Sequence, residues 1–230
     1  MAITIGTITP DTGLAGGSDT FSHDNNGDYL VVGVSSIIAD VDGTPDTVTY
    51  NGTSMTKIGD TGYSLDCGAT LWELIAPDSG AHDVVVTWTG DTTVARSMGA
   101  ISFSGVHQTT PSGTVATATS NSTTAPSVTA TTASGEVVVD CHAFYMPGGS
   151  ATAATADANQ TERVDTGQST TRRIGMSTQD GADGGVMSWT LDQTCRTRSI
   201  AVSIKPAAAG TNTSVKRLIG GGVLTSGLTA

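Results

Sequence analysis

Two stretches decide the fold: APDSGAHDVVVTWTG at Ala76–Gly90 and STQDGADGGVMSWTL at Ser177–Leu191, which read as versions of each other. Set side by side, Trp88 falls on Trp189 and Gly80 on Gly181. At the same spacing Ala100 falls on Ala201, Ser102 on Ser203 and Phe103 on Ile204. Upstream, GDYLVV (Gly27–Val32) resembles GEVVVD (Gly135–Asp140), and MTKIGD (Met55–Asp60) resembles QTERVD (Gln160–Asp165). The chain therefore reads as two related halves, roughly 20–107 and 127–206, with loops of different length.

Within these stretches side chains alternate as on a strand. In DVVVTWTG, Val84, Val86 and Trp88 share one face; in VMSWTL, Met187 and Trp189 do. The pattern predicts that Trp88 and Trp189 fill equivalent places in a core. Trp72, in TLWELIA, sits where both faces are apolar, which predicts a central strand covered on both sides. Elsewhere short β-branched runs alternate with turn clusters, among them Tyr29–Ser35, Thr47–Tyr50, Ser97–Phe103, Glu136–Ala143 and Ser199–Lys205. No helical periodicity persists. The expectation is an all-β fold, an antiparallel β-sandwich or jelly roll over 1–206. The joining segment QTTPSGTVATATSNSTTAPS contains strand-like pieces. One sandwich, its halves interleaved or stacked edge to edge, is therefore expected over two separate beads.

Charge narrows the function. The net charge is −11 and the pI about 4.4, which excludes binding to a nucleic-acid backbone through clustered Lys and Arg. The three cysteines Cys67, Cys141 and Cys195 fit neither a disulfide framework nor a zinc site and read as buried thiols. There is no signal-peptide pattern and no apolar run long enough for a membrane span. A surface-protein composition without an export signal is the combination found in virion components, made in a host cytoplasm and released by lysis.

Residues for chemistry are sparse. His23, His82, His107 and His142 are scattered, with His82 read as part of a turn, and no nucleophile elbow is present. Glu73 lies mid-strand beside Trp72 without an opposed carboxylate and reads as an exposed or Arg-paired strand residue. No enzyme and no cofactor are expected. Two acidic loops could offer oxygen ligands to calcium: DVDGTPD, through Asp40, Asp42 and Asp46, and HDNNGD (His23–Asp28). The same residues suit tight turns. A glycan platform would have to come from Trp72, Tyr63 and Tyr145.

The chain closes with SVKRLIGGGVLTSGLTA (Ser214–Ala230), after a small polar linker at 207–213. Its apolar residues Val215, Leu218, Ile219, Val223, Leu224 and Leu228, with the basic pair Lys216 and Arg217, are split by three glycines. They are too few to fold alone against the ordering entropy. The segment reads as an arm that docks on another surface.

Taken together, LVVGVSS, VTYNGTSMTKIG, LWELIAP, GAISFSGVHQTTP, NQTERVD, MSWTL and IAVSIKPA resemble a family of Thr/Val/Gly-rich β-sandwich modules. Such modules occur in tailed-phage structural proteins and bacterial surface proteins. The resemblance spans about 20–207 and implies a fold but no catalytic residues. With the composition, the missing export signal and the arm, the expectation is a structural protein of a tailed-phage virion, a capsid decoration or cement protein anchored by its arm. The variants are a tail or fibre subunit, or a glycan-binding adhesion module. The partners expected are other virion proteins and further copies of this chain, with no nucleic acid and no membrane.

Overall fold

The computed structural model describes residues 2–11, 13, 17–37, 43–62, 67–89, 95–149, 153–169 and 171–208. They form antiparallel strands and turns, with one 3-10 turn at Gly181–Asp183. The arm, Asp40, Asp42 and Tyr63 lie outside the described residues.

The first half contains β1 (Thr4–Asp11), β2 (Ser18–Asn25), β3 (Tyr29–Ile37), β4 (Thr47–Tyr50), β5 (Thr53–Ser54), β6 (Thr56–Asp60), β7 (Gly68–Ile75), β8 (Gly80–Thr87) and β9 (Ala95–Ser104). They make a five-stranded sheet in the order β1-β9-β3-β7-β6 and a four-stranded sheet in the order β2-β8-β4-β5. This is the connectivity of a jelly roll. The second half contains β10 (Ala116–Thr123), β11 (Ser127–Thr129), β12 (Val137–Tyr145), β13 (Ala154–Ala156), β14 (Gln160–Ser169), β15 (Arg172–Asp180), β16 (Val186–Leu191) and β17 (Cys195–Ile204). Its sheets run β10-β17-β12-β15-β14 and β11-β16-β13, repeating the order of the first half except that β5 has no counterpart among the described residues.

Strand alternation explains how the layers stack. Tyr29 and Val31 of β3 point to one side and Leu30, Val32 and Val34 to the other, and all are buried. The even-numbered set meets Val48, Tyr50, Val84, Val86 and Trp88 inside the first half. The odd-numbered set meets Val139, Cys141, Ile174, Met176, Ile200 and Val202 from the second half. The two five-stranded sheets thus lie face to face, each with its own smaller sheet on its other side. The halves are neither interleaved nor joined edge to edge. The reason is that their large sheets are apolar on both faces, and only face-to-face contact covers both.

The contact between the halves is keyed. Gly33 and Gly99 are partners across β3 and β9. A Cβ on Gly33 would stand 2.6 Å from Met176 Sδ, and one on Gly99 would stand 2.8 Å from the same sulfur. The paired glycines therefore form a notch that Met176 fills. Strand β2 of the first half carries little hydrophobic signal in the sequence. In β2 the buried positions are Asp19, Phe21, His23 and Asn25, mostly polar. His82 lies in β8, where it partners His23 of β2, and not in a turn.

Met176→Ala is expected to lower unfolding free energy by about 2–5 kcal/mol through the cavity it leaves. Gly33→Ala, whose Cβ would meet Met176 Sδ and Cε first, is expected to destabilise the native chain but to do far less harm in the Met176→Ala background. Urea unfolding of the two single variants and the double variant measures the coupling. Additive effects would mean that Met176 does not occupy the notch.

Candidate functional site

The strongest cluster of chemically capable groups is buried between the two sheets of the second half. Ser199 Oγ lies 2.8 Å from His142 Nδ1. His142 Nε2 lies 3.1 Å from Asp140 Oδ2 without making a hydrogen bond to it. Trp189 Nε1 donates to Asp140 Oδ2 at 2.9 Å, and the Ser177 amide donates to Oδ1. Serine, histidine and aspartate stand in line, as in a hydrolase triad. Yet Asp140, His142 and Ser199 are all 0% exposed, so no substrate reaches the serine. His142 also stacks on Phe144, with centroids 5.6 Å apart. Sequence reasoning did not foresee this line, because its members come from β12 and β17 and meet only through strand register.

The duplicated register shows what the cluster replaced. His142 partners Ser199 and Asp140 partners Ala201. At the matching places of the first half, Val34 partners Met98 and Val32 partners Ala100. Trp88 is the counterpart of Trp189, and there the indole Nε1 donates to the Gly43 carbonyl at 3.1 Å. One half thus supports its Trp from a loop carbonyl and the other from a buried carboxylate. The cluster is an internal hydrogen-bonding device for Trp189 and the β15 backbone.

The first half has its own polar line. His23 Nδ1 lies 2.8 Å from Thr9 Oγ1, and His23 Nε2 lies 2.8 Å from Ser102 Oγ. Ser102 donates to Asn25 Oδ1 at 2.7 Å. Burial pushes His23 down to about 4, against a smaller opposing effect of Asp24, so the ring is neutral near neutrality. The line ties β1 of the large sheet to β2 of the small one. Glu73 accepts from the Tyr29 and Ser112 hydroxyls, so it pairs with hydroxyls and not with an arginine. Burial, with Glu73 close by, raises the Tyr29 hydroxyl far above its usual range. Cys67, Cys141 and Cys195 are buried and form no disulfide, with Cys141 raised by burial and Cys195 pushed by burial up to about 12.

The residues singled out by sequence are not brought together. Trp72 is 5% exposed inside the first half, its Nε1 donating to Thr70 Oγ1 at 3.1 Å, so the ring offers no stacking platform. Tyr145 is half-buried under Arg196, whose guanidinium carbon lies 5.7 Å from the ring centre. In DVDGTPD, Asp46 accepts from the Thr89 amide and, at 2.7 Å, from the Thr89 hydroxyl. In HDNNGD, Asn25 and Asn26 bond backbone groups of neighbouring turns, and Asp28 accepts from the Gly105 amide at 2.9 Å and the Val106 amide at 3.3 Å. Asp46 and Asp28 spend these oxygens on tying their loops to segments distant in the chain. Among the described residues no three His, Cys, Asp or Glu side chains converge as a metal site would require.

Among the described residues the surface carries shallow concavities. One of about 310 Å³ lies against Ile5, Asn159, Thr161, Arg163, Asp180 and Asp183. A further geometric feature is the place of the last described residues. Pro206 bridges Val106, the Ala207 amide donates to the Gly105 carbonyl at 2.7 Å, and the Lys205 amide donates to the Pro111 carbonyl at 2.7 Å. Gly105 has φ 79°, and a Cβ there would stand 2.7 Å from the Ala2 carbonyl oxygen. The described chain therefore begins and ends at one pole, fixed around Gly105. No described helix is long and apolar enough to cross a membrane. Comparison with protein-family models, curated proteins and solved structures finds no match to this chain.

Asp140→Val alone leaves Trp189 Nε1 and the Ser177 amide without a partner, and is expected to cost about 3–5 kcal/mol of unfolding free energy. Installing the first half's residues together, as Asp140→Val with His142→Val and Ser199→Met, is expected to leave most of that loss in place, because neither Trp189 Nε1 nor the Ser177 amide regains an acceptor. Denaturant unfolding of the single and triple variants checks both. A harmless single substitution would show that the carboxylate does not support the indole.

Proposed function

We propose that the chain is a structural protein of a tailed-phage virion, a capsid decoration or cement protein held on the shell by Ser214–Ala230. The observation that supports this reading most is the single pole at which Ala2 and Ala207 lie, Ala2 close against Gly105 and the Ala207 amide bonded to the Gly105 carbonyl. A segment continuing from Ala208 is thereby delivered from one fixed point. The rest of the double sandwich is left to face outward. The resemblance to phage β-sandwich modules, and the use of jelly rolls in viral capsid and lectin domains, favour the same reading by analogy of fold.

The mechanism is passive. Val215, Leu218, Ile219, Val223, Leu224 and Leu228 would bury apolar surface on the partner, with Lys216 and Arg217 meeting acidic groups there. Repetition over many sites makes a modest contact durable. The acidic head, at net charge −11 for the chain, keeps decorated particles apart by repulsion. A tail-associated or fibre subunit would use the same anchor on a different surface.

The direct test compares the full chain with one ended after Ala208, each added to particles of the encoding phage from which the gene has been deleted. The full chain is expected to sediment with particles. The shortened chain should stay in the supernatant with an unchanged melting temperature, since every described strand and core lies before Ala208. Equal binding by both chains, or binding by neither, would overturn the reading.

A further inference from the structure

The edges of the sheets are not alike. Exposed edges present unpaired backbone groups, and proteins guard them with charge, proline, bulges or brevity. Here β1 carries Pro10 and a register shift, β6 carries Lys57, Asp60 and a shift, and β14 carries Glu162, Arg163, Asp165 and two shifts. The edge strand β2 carries Asp19 and Asp24. Strands β5, β11 and β13 are two or three residues long. One long edge has no such charge or proline. Among the described residues, strand β10, ATATSNST, pairs only with β17 and stays in regular register from Ala116 to Ser120 before a shift. Its Thr117 and Thr119 are exposed. Beyond the ladder, the Ser120 carbonyl accepts from Arg198 at 3.5 Å.

This edge lies in a longer unusual stretch. From Gln108 to Gly135 there is no Asp, Glu, Lys or Arg, in a chain that is 13% charged with a net charge of −11. Two copies of so acidic a protein repel wherever their carboxylates face each other. The flank made by β10 and the neighbouring short edge β11 is free of that penalty. A two-fold axis through β10 would set Thr, Ser and Ala against the same residue types, pairs that favour antiparallel strands.

We propose that two copies of this chain associate through β10, edge to edge and antiparallel, so that their β10-β17-β12-β15-β14 sheets join into one continuous sheet. The contact is isologous and closed, so it makes a dimer and no fibre. It uses the backbone of Ala116–Ser120 and does not rest on the virion reading or on the arm.

Sedimentation of the full-length protein over a range of concentrations tests this, with three variants alongside. The native chain is expected to pass from monomer to dimer. Thr119→Lys, which sets two like charges across the axis, is expected to raise the dissociation constant roughly tenfold or more without changing the melting temperature. Thr161→Lys, at the exposed β14 edge, should leave the dimer intact, as should Leu218→Asp with Leu224→Asp in the arm. A native chain that stays monomeric throughout overturns the proposal. So does a Thr119→Lys chain that dimerises like the native one, or an equal loss in the Thr161→Lys chain. Loss of the dimer in the arm variant would assign the contact to the arm and overturn the β10 pairing.

Discussion

Where Gly33 and Gly99 face each other, neither β3 nor β9 carries a Cβ, and Met176 enters the space. Every larger feature depends on the close approach this permits between the two five-stranded sheets. Around the notch, Tyr29, Val31, Ile101 and Phe103 of one half pack on Val139, Ile174, Ile200 and Val202 of the other. Burying a large apolar side chain contributes about 1.5–3 kcal/mol. Pulling the halves apart would expose one apolar face on each, so neither half is a finished soluble unit. The shared core makes a duplicated jelly roll into a single body.

Duplication also gives an internal control on what each residue does. The same register position holds Val34 with Met98 in one half and His142 with Ser199 in the other. A sandwich of this shape therefore tolerates either an apolar or a polar filling, provided that the polar one is complete. In the second half it is anchored by Asp140, which accepts from both Trp189 and the Ser177 amide. The resulting Ser-His-Asp line has the order of a catalytic site and none of its access. Burial, and not residue identity, separates the two roles.

Much of this was legible in the sequence, for identifiable reasons. The repeat was visible because Trp88 and Trp189 keep their spacing to the following strands, and the structure sets β8 and β16 in matching positions. The buried state of Trp72 followed from the apolar residues on both its flanks. The face-to-face stacking was harder to read. YLVVGV (Tyr29–Val34) and VVV (Val137–Val139) carry no charged residue, and such runs say that both faces are covered without saying by what. Strand β2 was hidden because its inward residues are Asp19, His23 and Asn25, whose burial depends on partners in distant strands. The Asp140–His142–Ser199 line was hidden for the same reason. Asp46 and Asp28 looked like metal ligands because bonds that tie a loop down and calcium binding use the same oxygens.

The central claim is that the two jelly rolls share one core and so stand or fall together. Calorimetric unfolding of the intact chain tests this most directly. The account predicts one transition, with the calorimetric enthalpy equal to the van't Hoff enthalpy. Two separated transitions, each of about half the total enthalpy, would contradict it and show that each half keeps its fold without the other.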